Sequence, residues 1–252
     1  MKDIKKAVIL AGGKGTRLSE YTHEIPKPMI RVGPYPLMIH IMRNLHKSGI
    51  DEFYICGGYL INIIRDYLIN NADVVLDDSE DSTSVKLHKE ILGDSIVNLI
   101  FTGAESGTAQ RLKRVSKFIG NDNFIMTYGD SLSNVDVNNV KKKLGKDKIL
   151  SICAIPNKQR FGLMKVEKNG DVTEFKEKHT SNTHFINGGY MCIKPEIFKY
   201  IDDEDFDFSK DVLEKPELKG KISAYIHNGY WKAVDTKSDL NESIDEYNKG
   251  DF

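Results

Sequence analysis

Val8-Ile9-Leu10-Ala11-Gly12-Gly13-Lys14-Gly15-Thr16-Arg17-Leu18 is followed, ten residues after Arg17, by a lysine set between two prolines in Pro26-Lys27-Pro28-Met29. A short apolar strand runs into a glycine-rich turn that ends on an arginine. Glycines let the backbone approach an anion closely and aim its N–H groups at phosphate oxygens. Arginine offers the same oxygens a planar fork of donors, and lysine adds a compact positive charge. These parts suit a nucleoside triphosphate whose phosphate chain is to be cut. A P-loop does not fit, because Lys14 is followed by glycine and preceded by Gly13 alone. A dinucleotide fingerprint does not fit either, since Leu18 stands where its third glycine belongs. A glycine-rich turn without a ligand would account for Gly12, Gly13 and Gly15, but it leaves Arg17 and Lys27 unexplained.

Outward from this turn, strand-like runs alternate with helical patterns. Lys6–Leu10, Glu52–Cys56, Asp73–Leu76, Val97–Thr102, Asn123–Tyr128 and Ile149–Ala154 are short and rich in apolar or β-branched residues. Leu37, Ile41, Met42 and Leu45 recur with a period near 3.6 residues, as do Leu112, Val115, Phe118 and Ile119; Gly49 and Gly120 stop these helices. The alternation predicts an α/β fold of Rossmann-like kind, a mostly parallel sheet with helices on both faces. Ligands then bind at the carboxyl ends of the strands, where both the glycine turn and Gly129-Asp130 belong. Met164–Val166 and Val172–Phe175 flank an Asn169-Gly170 turn, which predicts a small antiparallel section in the C-terminal half. Residues 77–96 are acidic and polar with weak periodicity and read as an exposed loop. Asp207–Lys219 and Lys237–Lys249 read as closing helices. A single domain is expected, residues 1–155 taking the nucleotide and 156–252 the acceptor.

With 252 residues the chain can bury a substantial core. Its 36 basic residues against 37 acidic ones leave a net charge of −1, so no global field recruits nucleic acid or an anionic membrane. Cys56, Cys153 and Cys192 are far apart, odd in number and set in apolar runs, which predicts buried free thiols rather than disulfides or zinc ligands. The apolar run Ala7–Ala11 is too short for a signal peptide, and no stretch approaches the length of a membrane span. A cytoplasmic protein is expected.

Asp130, in Thr127-Tyr128-Gly129-Asp130, and Asp235, in Trp231-Lys232-Ala233-Val234-Asp235-Thr236, are the carboxylates that could hold Mg2+ against a triphosphate, because magnesium takes one or two carboxylates plus phosphate oxygens. Taken singly, either could be a turn former or a cap. Leu-Ala-Gly-Gly-x-Gly-Thr-Arg-Leu with Pro-Lys-Pro-Met resembles the sugar-phosphate nucleotidylyltransferases. The resemblance continues through Gly57-Gly58-Tyr59, Arg111-Leu112-Lys113-Arg114-Val115, Thr127-Tyr128-Gly129-Asp130, Glu177-Lys178, Ile186-Asn187-Gly188-Gly189-Tyr190 and Trp231 to Thr236. It is strongest to the glucose-1-phosphate cytidylyltransferase branch. The resemblance implies a homo-oligomer and a single in-line displacement, in which an acceptor phosphate attacks the α-phosphate of CTP and pyrophosphate leaves. Leu10, Ala11, Gly12, Gly13, Gly15, Thr16, Tyr128 and Gly129 would wrap the nucleotide. Arg17 would neutralise charge on pyrophosphate, and Lys27 would bridge the α-phosphate and the attacking phosphate. Asp130 and Asp235 would hold Mg2+. Arg111 would touch nucleotide or acceptor, and Glu177, Lys178, Asn187 and Gly188 would line the acceptor pocket.

The chain departs from the branch in three motifs. Thr108-Ala109-Gln110-Arg111 replaces its Thr-Gly-Gly-Arg, Ser131 follows Asp130 where it has glycine, and His179 follows Lys178 where it has proline. Gln110, Ser131 and His179 add volume and hydrogen-bonding groups where a sugar needs clearance, and polar groups of this kind decide specificity. They predict a small phosphorylated acceptor with amide or carboxylate groups, such as the L-glutamine phosphate used by cytidylyltransferases of capsule phosphoramidate synthesis. Drift in an enzyme for glucose 1-phosphate is the alternative. A metal-dependent glycosyltransferase would not need Arg17 and Lys27 around a triphosphate, and a non-catalytic nucleotide sensor would not need all four charged groups.

Overall fold

A computed structural model of the chain describes residues 3–15, 18, 22–158, 163–176 and 180–250. In chain order its strands are β1 (Lys6–Leu10), β2 (Arg31–Val32), β3 (Tyr35–Pro36), β4 (Glu52–Gly57), β5 (Ala72–Asp78), β6 (Ser82–Leu87), β7 (Ile96–Phe101), β8 (Phe124–Tyr128), β9 (Ser131–Ser133), β10 (Leu150–Lys158), β11 (Leu163–Val166), β12 (Val172–Lys176), β13 (Thr180–Ile193), β14 (Ile222–Ile226) and β15 (Trp231–Ala233). Nine of them form one twisted sheet in the order β14-β10-β13-β8-β1-β4-β7-β6-β5. Its centre, β8-β1-β4-β7, is parallel, while β13 and the β5–β6 hairpin add antiparallel pairs on either side.

The apolar runs are continuous because both faces of the parallel centre are covered. Ala7 and Ile9 of β1, with Phe53, Ile55, Val97 and Leu99 of its neighbours, pack on the helices Leu37–Lys47 and Ile61–Asn70. The alternate residues Val8 and Leu10, with Tyr54, Cys56 and Ile100, pack on Ala109, Leu112, Val115 and Ile119 of the helix Thr108–Ile119. The period of two along β1 therefore divides one strand between two cores. Chain order runs from β1 to β4 on one side and returns to β8 on the other. This reversal opens a crevice at the carboxyl ends of β1 and β8.

The antiparallel hairpin β11–β12 forms around Asn169-Gly170 as expected, and Lys237–Lys249 is a helix capped by Thr236 and Asp239. The three cysteines are buried and free, and burial pushes their thiols up to about 12. No helix among the described residues is long and apolar enough to cross a membrane. Two expectations fail. Residues 77–96 are not a loop: they complete β5, supply β6 and the short helix Lys89–Leu92, and bury Val85 and Leu87. The Thr83 hydroxyl donates to Asp78 across the hairpin (2.9 Å), and Arg65 of the helix Ile61–Asn70 pairs with the same carboxylate, so the hairpin's apolar signal in the sequence is faint. Asp207–Lys219 is not one helix either. It divides into a π-helical turn, Phe208–Val212, and a 3-10 turn, Pro216–Leu218, because Asp207 caps the first, Pro216 starts the second, and Lys215 between them is drawn to Asp202 and Asp205.

Ile125 is fully buried on β8, whereas Val75 on the edge strand is 47% exposed. Ile125→Ala is expected to lower unfolding free energy by about 2–5 kcal/mol in a urea melt. Val75→Ala is expected to stay within about 0.5 kcal/mol of the parent.

Candidate active site

The crevice at the ends of β1 and β8 holds a cavity of about 420 Å³. Its floor is Leu10, Ala11, Gly12, Gly13 and Gly15 from the turn after β1, and Tyr128, Gly129 and Asp130 from the end of β8. Lys27 and Asp235 line it too, and residues 104–108 with Phe206 and Asp207 form a further stretch of its wall.

Local pairing explains how Asp130 and Asp235, 105 positions apart in sequence, come together. β9 and β15 pair antiparallel with Ala233 opposite Ser131, and the Val234 N–H donates to the Asp130 carbonyl (3.0 Å). Both carboxylates therefore emerge at one end of the same two-stranded ladder. Lys27 begins a 3-10 turn, Lys27–Met29, whose prolines fix the backbone on both sides. Its Nζ donates to Asp130 Oδ2 at 3.0 Å and to Asp235 Oδ1 at 2.7 Å. The lysine side chain is 11% exposed, so one ammonium is held in low-dielectric surroundings between two carboxylates.

This arrangement tests the expected magnesium site. Two carboxylates from separate strand ends already converge on a single cationic atom, and oxygen donors of that kind and number suit magnesium completed by phosphate oxygens. Among the described residues no third carboxylate, histidine or cysteine joins them.

Arg111 behaves differently from the expectation of a ligand contact. Its guanidinium borders the cavity but is 3% exposed, and it donates to the carbonyls of Gly57 (3.1 Å), Gly103 (2.8 Å) and Gly12 (2.9 Å) and to the Thr102 hydroxyl (2.9 Å). It ties together the turns that follow β1, β4 and β7. The glycine at position 12 is required by this clamp, since a Cβ there would lie 2.1 Å from an Arg111 nitrogen. Gly13 faces open space instead, leaving room for a ligand.

Among the described residues, the expected acceptor residues Gln110, Ser131, Asn187 and Gly188 do not line this cavity. The Gln110 side chain turns back to accept the Gly107 N–H (3.1 Å) and closes the start of its helix. Ser131 is 2% exposed, and its hydroxyl has no partner. The Asn187 side chain accepts from Gly189 N–H (2.8 Å), and the Gly188 carbonyl accepts from the Trp231 indole (2.8 Å). Thr16, Arg17, Glu177, Lys178 and His179 lie outside the described residues. Sequence reasoning missed the further stretch of wall, residues 104–108, Phe206 and Asp207; its one available sign was the Ser106-Gly107-Thr108 helix start after β7. Lys14 of the glycine turn reaches Glu105 of that stretch (2.8 Å).

Residues 6–250 match the family described as nucleotidyl transferase. The glucose-1-phosphate cytidylyltransferase of Salmonella typhi is 36% identical over 242 residues, covering 93% of this chain and 92% of its own. The probable glucose-1-phosphate cytidylyltransferase of Bacillus subtilis (strain 168) is 33% identical over 251 residues, covering 97% of each. The crystal structure of HddC from Yersinia pseudotuberculosis superposes with a TM-score of 0.72 at 24% identity, covering 97% of this chain and all of that one, a likeness of fold.

Charged hydrogen bonds of the Arg111 kind contribute about 1.5–3 kcal/mol each. Arg111→Met is expected to lower stability by at least about 2 kcal/mol in a urea melt, with triphosphate binding weakened because the turns lose their common tie. A normal melt with weakened binding would instead mean that Arg111 acts on the ligand directly.

Proposed function

The chain belongs to the nucleotidyl transferase family, and on that premise we propose that it is a CTP-dependent cytidylyltransferase acting on a small phosphorylated acceptor. The observation that carries this reading is the meeting of Lys27, Asp130 and Asp235 beside a glycine-floored cavity large enough for a nucleotide. The choice of CTP is supported by relatives named as cytidylyltransferases along nearly the whole of both chains.

In this reading an oxygen of the acceptor phosphate attacks the α-phosphorus of CTP. A new P–O bond forms as the bond to the β-phosphate breaks, and pyrophosphate carries away the electron pair. No proton need be removed from a phosphate nucleophile, so the chain's work is positioning and charge neutralisation. Asp130 and Asp235 would hold magnesium, which neutralises the triphosphate when bound. Lys27 supplies a fixed positive charge where the α-phosphate and the incoming phosphate must approach each other against their mutual repulsion. Arg17 is assigned to the leaving pyrophosphate on its place in the motif.

For the acceptor we propose an amide- or carboxylate-bearing phosphate such as L-glutamine phosphate, the reading suggested by the departures at 110, 131 and 179. Neither Ser131 nor Gln110 adds to it: Ser131 is buried and does not line the cavity, and the Gln110 side chain is spent on Gly107. Glucose 1-phosphate is the second reading, favoured by the names of the relatives.

Pyrophosphate release with CTP and magnesium, measured side by side with the two acceptors, tests both levels. Turnover with L-glutamine phosphate alone is expected; turnover with glucose 1-phosphate alone would replace the acceptor reading. Absence of pyrophosphate with either, together with hydrolysis of a nucleotide sugar, would favour a glycosyltransferase. Lys27→Met is expected to reduce turnover roughly 100- to 1000-fold, as other lost electrostatic stabilisers do. Removing magnesium with a chelator is expected to abolish release.

A further inference from the structure

Phe206 is out of keeping with the rest of the cavity wall. Leu10, Ala11 and Leu18 there are buried, whereas Phe206 is 54% exposed. Among the described residues, the other large apolar side chains left exposed lie elsewhere, chiefly on the hairpins β5–β6 and β11–β12 and on β13. An aromatic ring left open at a cavity wall is surface waiting for a flat partner.

The backbone beneath the ring is fixed. The Phe206 N–H donates to the Asp211 carboxylate (2.9 Å), as does the Asp207 N–H (2.7 Å), and the Phe206 carbonyl accepts the Ala109 N–H (3.0 Å). Asp207 in turn accepts from the Thr108 hydroxyl (3.2 Å), which itself accepts the Phe208 N–H (2.7 Å). Five hydrogen bonds thus bind the turn to itself and to the start of the helix Thr108–Ile119, and none of them involves the ring. Gly107 makes this docking possible, because a Cβ there would lie 2.0 Å from the Phe206 carbonyl oxygen and 2.6 Å from its ring. One of these bonds takes the Ala109 N–H in the first turn of that helix, and the Gly107 N–H before it goes to the Gln110 side chain. Lys27, the cation suited to a phosphate, lines the same cavity but is tied to Asp130 and Asp235 instead.

From this exposed ring on a fixed backbone we propose that Phe206 is the stacking surface for the nucleobase, setting how the nucleotide lies in the cavity. The inference rests on the nucleotide reading of the cavity and adds to it the residue that holds the base. Stacking on a π-face tolerates any base, so Phe206 supplies affinity and orientation. Discrimination between bases falls to the polar backbone at residues 104–107, which lines the same cavity.

Isothermal titration in magnesium, without acceptor, separates this role from a structural one. Base–aromatic stacking contributes affinity of a size that predicts about a tenfold weaker CTP complex for Phe206→Ala. Pyrophosphate, which has no base, should bind Phe206→Ala within about twofold of the parent, and Phe206→Trp should recover CTP affinity to within about threefold. Unchanged CTP affinity in Phe206→Ala would overturn the proposal. So would equal weakening of CTP and pyrophosphate, which would mark a deformed cavity. The parent protein is titrated with all four nucleoside triphosphates, and the variants are compared on the tightest. A preference other than CTP would then count against the cytidylyl reading alone, leaving Phe206 to be judged on the preferred nucleotide.

Discussion

An ammonium group held between two carboxylates is the constraint around which the rest of this protein is arranged. Lys27 is nearly buried, and Asp130 and Asp235 sit within 3.0 Å of its Nζ. An isolated charge in such surroundings would be expensive, and so would two facing carboxylates with nothing between them. Each therefore requires the others. The two-proline turn that fixes Lys27, the β9–β15 ladder that aligns the aspartates and the β1–β8 crevice into which they point all follow from that need. Two carboxylates thus meet one ammonium there.

A second buried charge organises the floor. Arg111 has no carboxylate partner among its hydrogen bonds; it is balanced by carbonyl dipoles from three separate turns. Burial pulls its affinity for a proton down, yet a guanidinium keeps its charge in a protein, so the carbonyls stay bound. The glycine turn thereby acquires a fixed shape before any ligand arrives. That is preorganisation, and catalysis by positioning depends on it.

The parallel centre was legible because strands buried on both faces read as continuous apolar runs, and Lys6–Leu10 is one of them. Asp130 and Asp235 could be singled out from chemistry as carboxylates that follow strand-like runs, and the structure brings both onto Lys27. The hairpin after Leu76 was obscured because its strands are joined by hydrogen bonds among Asp, Ser and Thr, which look like loop residues. Gln110 misled for a related reason: a side chain expected to meet a ligand found a nearer partner in the Gly107 N–H. Phe206 was invisible because its position depends on docking between segments about 100 residues apart, and nothing in the local sequence announces such contacts.

The most direct test of this account is Mn2+ binding in the presence of CTP, followed by electron paramagnetic resonance as a stand-in for magnesium. The account predicts a saturable site in the parent protein that weakens at least about tenfold in both Asp130→Asn and Asp235→Asn, each of which removes one hard anionic donor. Unchanged affinity in both variants would contradict it, and the ion would then have to be held by the triphosphate alone.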